Sequence, residues 1–177
     1  MVCFHKRYDF GDEKDGINGH GIDHTEFGGW DEMEQWIRHE NPDCVILPIC
    51  MYDHSGLQIK VGSFQGLLPQ GHAEFDSGQV GFIFVSRLRI VKEYGDLDTK
   101  EAAERAEKVL RGEVEIYDQY LSGDVYGFIL REPPCPNCDG PGKEDDSCWG
   151  FYGMDPTENG MADYLSQTQR EELAVVA

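Results

Sequence analysis

Two cysteines three residues apart, in Cys135-Pro136-Asn137-Cys138, are the sharpest chemical feature of this chain. Paired thiolates at a turn rich in Pro and Gly make half of a tetrahedral zinc site. Cys148 follows ten residues after Cys138 and is the expected third ligand, carried on a returning strand. The fourth ligand has to come from a distant segment or from water. His54, in a turn, is the preferred choice, and His5, near the start, is the alternative. A zinc ion closed by cysteine and histidine is structural, ordering a loop that has too little core to order itself. The competing redox reading of a Cys-x-x-Cys pair needs a helix to begin there and lower the thiol pKa. Here Asp139, Gly140 and Pro141 follow, so no helix starts and the anionic loop works the other way.

Other groupings carry weaker chemistry. His5, Asp53, His54 and Asp76 offer the ligand types of a metal-dependent hydrolase, which is the enzyme alternative. His20 and His24 share a glycine-containing loop, and spacing of four brings ligands together only on a helix, so they make at most a separate weak site. Asp53-His54-Ser55 supplies the three residue types of a hydrolytic triad, but neighbours on one turn cannot form the relay. Asp76-Ser77-Gly78 matches the aspartic-protease triplet, but a side-chain turn leading into a strand explains it better. Gly123 to Gly127 is too short for a phosphate loop.

The elements that must position these groups are legible from pattern. Residues 2–8 read as a strand, 9–29 as a Gly/Asp-rich loop, and 31–39 as a helix capped by Asp31, with Trp30, Met33, Trp36 and Ile37 on one face. Residues 44–52 form an apolar run of central-strand character, joined through Asp53-His54-Ser55-Gly56 to an alternating strand at 57–61. Residues 63–78 read as irregular, 79–85 as a strand and 87–94 as a short helix. Asp98 and Glu101 have capping-box spacing for a long helix to about Leu121, with Ala103, Ala106, Leu110, Tyr117 and Leu121 as its buried stripe. Strands at 125–131 and 148–152 and a helix over 160–174 complete the chain. The pattern predicts a single α+β domain over 1–177, with a mostly antiparallel sheet, about three helices and a zinc-knuckle-like loop near the C-terminus.

Composition sets the class of partner. The 15 lysines and arginines against 34 aspartates and glutamates give a formal charge of −19. That excludes the basic face a nucleic-acid binder needs and disfavours anionic membranes. It favours solubility, or a basic protein partner met through Asp139, Glu144, Asp145 and Asp146. No apolar run approaches the ~20 residues of a membrane span, and no long apolar stretch follows Lys6-Arg7, so a cytoplasmic protein without a signal peptide is expected. In a reducing compartment Cys3, Cys44 and Cys50 read as buried strand residues rather than disulfide partners.

Several strings resemble a family of acidic proteins of phages and mobile elements: Cys3-Phe-His-Lys-Arg-Tyr-Asp-Phe-Gly-Asp12, Tyr52-Asp-His-Ser-Gly56, Asp76-Ser-Gly-Gln-Val-Gly-Phe82, Tyr117-Asp-Gln-Tyr-Leu-Ser-Gly-Asp-Val-Tyr-Gly127 and Asp146-Ser-Cys-Trp-Gly-Phe-Tyr-Gly153. Some proteins of this kind are anti-CRISPR inhibitors, including a zinc-containing inhibitor of type II-A Cas9. The resemblance implies a phage-encoded, non-catalytic protein of the host cytoplasm that docks on a basic lobe of Cas9 and blocks DNA loading or cleavage. It supplies no catalytic residues. A phage accessory protein with structural zinc and no host target is the remaining alternative.

Overall fold

The structure is a computed structural model, and it describes every residue except 16–18, 70, 96–98, 135, 138, 139, 141 and 173–177. The fold is α+β with antiparallel sheets, as the pattern predicts. Among the described residues there are six strands and five α-helices rather than three. In chain order they are β1 (Val2–Cys3), α1 (Trp30–Glu40), β2 (Val45–Asp53), β3 (Leu57–Val61), α2 (His72–Phe75), β4 (Ser77–Val85), α3 (Arg87–Tyr94), α4 (Thr99–Ser122), β5 (Val125–Arg131), β6 (Glu144–Tyr152) and α5 (Gln167–Glu172). The chain packs as two compact units, Met1–Asp118 and Gln119–Ala177.

The first unit is built on a four-stranded sheet of order β1-β4-β2-β3, with every pair antiparallel. Side chains alternate across the pleat, and both faces are apolar. On one face Val2, Ile46 and Phe82 pack with Met33 and Ile37 of α1. On the other, Val45 and Val85 pack against Ile90 of α3 and Ala102 and Ala106 of α4. The sheet is therefore covered on both sides, which is why β2 reads as a nearly continuous apolar run. The edge strand β3 is tied in by Ile59, whose amide donates to Asp118 Oδ1 at 2.6 Å.

Several element details differ from expectation. The first strand is only two residues long, because its chain leaves the sheet once Phe4 N has bonded Val80 O. Helix α1 starts at Trp30, after Gly29 rather than behind an Asp31 cap, and Trp36 stays 41% exposed. The buried stripe of α4 is Ala102, Ala106, Leu110 and Val114, one residue off the expected start. The proposed cap at Asp98 lies outside the described residues. The expected C-terminal helix is a 3-10 turn, Met161–Tyr164, followed by α5. No described helix is long and apolar enough to cross a membrane.

The second unit pairs β5 with β6 in a hairpin that begins at Glu144, not Cys148. Phe128, Phe151, Met161 and Leu165 form its core, with Cys148 packed alongside.

Close backbone approach constrains Gly81, where a Cβ would meet Val2 O at 1.9 Å. Gly81→Ala should therefore displace β1 and destabilise the fold by roughly 1–3 kcal/mol. Gly56→Ala, with nothing within 4 Å of its built Cβ, should change stability by less than about 0.5 kcal/mol. Urea midpoints of the two variants check the contrast.

Candidate metal centre

The end of the β2–β4 ladder creates a local meeting point. Tyr52 pairs with Ser77 as the last register pair of these strands. One residue beyond, Asp53 N donates to Asp76 O at 2.9 Å. The chain then turns between β2 and β3 through His54, Ser55 and Gly56, with Ser55 in the left-handed region at φ 61°. The turn brings His54 over the end of β4. On the other side, Gly71 at φ 94° reverses the chain into the single turn of α2. Spacing of four on that turn puts His72 and Asp76 on one face.

The result is a group of three ligand types, His54, His72 and Asp76, with ligand atoms all within 4.8 Å of one another. Asp76 Oδ2 lies 3.1 Å from His54 Nδ1 and 4.0 Å from His72 Nδ1. The two imidazole rings meet edge to face with centroids 4.7 Å apart. Two ligand atoms each about 2.1 Å from one zinc ion stand roughly 3.0–3.4 Å apart; the Asp76–His54 contact already has that spacing, and the remaining separations, up to 4.8 Å, would have to close on an ion. His54 is exposed and the other two are half-buried, which leaves solvent access to the centre.

A buried residue orders the group from beneath. Tyr52, on β2, places its hydroxyl 3.3 Å from His72 Nδ1 and its ring 5.9 Å from that of His54. Phe64 packs on the same phenol ring at 5.7 Å. Such outer partners fix ring orientation at metal sites by holding the nitrogen that does not ligate, which leaves Nε2 of His72 for an ion. Nearby, Asp53 turns to other partners: its Oδ2 accepts from Arg7 at 2.6 Å and from the Tyr8 hydroxyl at 3.1 Å.

The structure thus redistributes the residues singled out from sequence. His54 and Asp76 of the hydrolase grouping come together, whereas Asp53 is engaged by Arg7 and Tyr8, and His5 stacks on Tyr8 at 5.1 Å. The third member, His72, was not among the expected ligands. Its signal was the His-x-x-x-Asp spacing, hidden because a four-residue helix shows no periodicity. Cys135, Cys138 and Asp139 lie outside the described residues. Cys148 packs, partly buried, against the hairpin core, and Glu144, Asp145 and Asp146 are exposed on β6. Among the described residues, the His54 group is the only one of three or more such side chains that could hold an ion. His20 and His24 instead flank Phe4, one edge-on and one stacked, and His20 Nδ1 accepts from Ile22 N. Burial holds the His20 imidazole below its ordinary pKa. The recess lined by Phe84, Ile90, Tyr94, Leu110 and Tyr117, about 710 Å³, contains none of the three ligands.

No protein-family model matches the chain, no curated protein matches it, and no solved structure matches it. The chemistry of the centre therefore rests on its own geometry.

Cys3, Cys44 and Cys50 belong to no such ligand group among the described residues. Burial raises the pKa of Cys44 and Cys50 and pushes that of Cys3 up to about 12 from an ordinary 9.0. The sign for stability follows from proton linkage. Folded Cys3 keeps its proton where the unfolded chain loses it, so its contribution is complete below pH 9.0 and is lost toward pH 12. Between pH 9 and 11 the wild type should lose stability faster than Cys3→Ala, by at most about 1.4 kcal/mol per pH unit, as read by urea unfolding at each pH.

Proposed function

We propose that this protein binds one divalent transition-metal ion through His54, His72 and Asp76 and uses it for metal-assisted hydrolysis. The single observation that carries this reading is the convergence of three ligand atoms within 4.8 Å on a solvent-reachable ladder end. Two imidazoles and a carboxylate are the donor set of open catalytic sites, which keep a coordination position for water or substrate. An ion held this way lowers the pKa of its bound water and polarises a carbonyl or phosphoryl oxygen. Phe75, 85% exposed on the same turn as His72, offers an apolar contact for a substrate beside the ion.

The contacts of His54 and His72 with Asp76 are partly exposed and contribute little to folding, about 0–1 kcal/mol for an exposed pair. Inhibition of Cas9 by docking draws on none of this geometry; it is proposed from the family resemblance and the acidic charge alone.

The test is titration with Zn²⁺ and Co²⁺ by calorimetry and visible absorption. Wild type should bind one equivalent at this centre, with a Co²⁺ spectrum lacking thiolate charge-transfer bands. His72→Ala and Asp76→Asn should weaken that binding at least 100-fold, and Tyr52→Phe by roughly tenfold, as outer partners do. His5→Ala should leave it unchanged. Hydrolysis of activated carboxyl and phosphate esters by the zinc-loaded protein should fall with the same variants. Equal metal affinity in wild type and His72→Ala removes the reading.

A further inference from the structure

The hairpin of the second unit has one face committed to its core and one face open. Phe128 and Cys148, paired across the strands, point to the core side. The alternate positions Val125, Gly127 and Ile129, with their partners Tyr152, Trp149 and Ser147, make up the other face. There Trp149 is 66% exposed, Ile129 43% and Tyr152 37%. Gly127 is the floor beneath the indole, since a Cβ on it would lie 2.3 Å from the Trp149 ring. The bare glycine lets a large aromatic side chain lie across the ribbon while remaining largely in contact with solvent.

The charge around this row selects what can cover it. Residues 119–177 contain eleven aspartates and glutamates against Arg131, Lys143 and Arg170. Glu144 lies on the open face, paired across from Arg131 and accepting from Ser147 Oγ at 3.0 Å. Asp145, Asp146 and Glu132 are exposed beside it. A second copy would bring the same acidic rim against itself. Nucleic acid and anionic lipid are repelled for the same reason. A cationic protein surface is attracted, and a tryptophan in the middle of an acidic rim is the kind of anchor that dominates such contacts.

We infer that the Ile129–Trp149–Tyr152 face is a docking surface for a protein that presents an apolar recess bordered by lysine or arginine. The inference stands apart from the metal centre, because it rests on other residues in the other unit.

A synthetic twelve-residue peptide alternating leucine and lysine serves as the probe, with a lysine homopolymer of the same length as its charge-only control. Binding to the full chain is measured by fluorescence anisotropy. The peptide should bind, more weakly as salt rises. Trp149→Ala and Ile129→Lys should each weaken it at least tenfold. Glu144→Lys combined with Asp145→Lys should reduce the association rate. The homopolymer should bind more weakly and be indifferent to Trp149→Ala. Both single substitutions replace exposed side chains, and circular dichroism with an unchanged melting temperature verifies the fold. The inference is overturned by absence of peptide binding or by equal affinity in wild type and both single variants. It is also overturned if the homopolymer binds as well as the peptide. Trp149-dependent self-association in sedimentation, or Trp149-dependent binding to phosphatidylserine vesicles, would assign the face to a second copy or to a membrane and equally overturn it.

Discussion

The hydrogen bond from Asp53 N to Asp76 O, 2.9 Å long, is the constraint on which the grouping of His54, His72 and Asp76 depends. It extends the β2–β4 ladder one step past the Tyr52–Ser77 pair and fixes where two turns leave the sheet. His54 belongs to one turn and Asp76 to the other. Antiparallel register has a period of two, so a slip of one residue would exchange the faces of the strand. Such a slip of β2 against β4 would carry Ile46 away from α1 and part His54 from Asp76 at once. The apolar pattern that buries the sheet is therefore also what brings His54 and Asp76 together.

Burial and exposure divide the work within the first unit. Its sheet is covered on both faces by α1 and by α3 with α4, and no buried side-chain polar atom among the described residues lacks a partner. The ladder end is different. His54, His72 and Asp76 stay within reach of solvent, while Tyr52 beneath them is buried and held by Phe64. A buried phenol beside these polar side chains gives them a common platform without sealing them in. The same separation recurs in the hairpin, where one face forms core and the other leaves Trp149 in water.

Most of the fold was legible because burial leaves periodic traces. The nine-residue β2 and the 24-residue α4 stood out through apolar run and helical stripe, and the β2–β3 hairpin through its turn residues. Short or polar elements left no such trace. Helix α2 spans four residues, barely one turn, so 63–78 read as irregular and His72 was passed over. Strand β6 starts among Glu144, Asp145 and Asp146, whose exposed side chains resemble a loop; only pairing with β5 makes them a strand. The α4 stripe shifted to Ala102 because alanines at 102 and 103 satisfy the period equally and packing chooses between them. At the candidate site, residue type identified His54 and Asp76, but their third partner depends on a contact across the sheet end that spacing does not encode.

X-ray absorption at the zinc edge, on protein loaded with one equivalent of Zn²⁺, tests the central claim most directly. Ligation by His54, His72 and Asp76 predicts a first shell of nitrogen and oxygen alone at about 2.0–2.1 Å, with imidazole multiple scattering from two rings. A sulfur shell at about 2.3 Å would contradict it and place the ion among the cysteines instead.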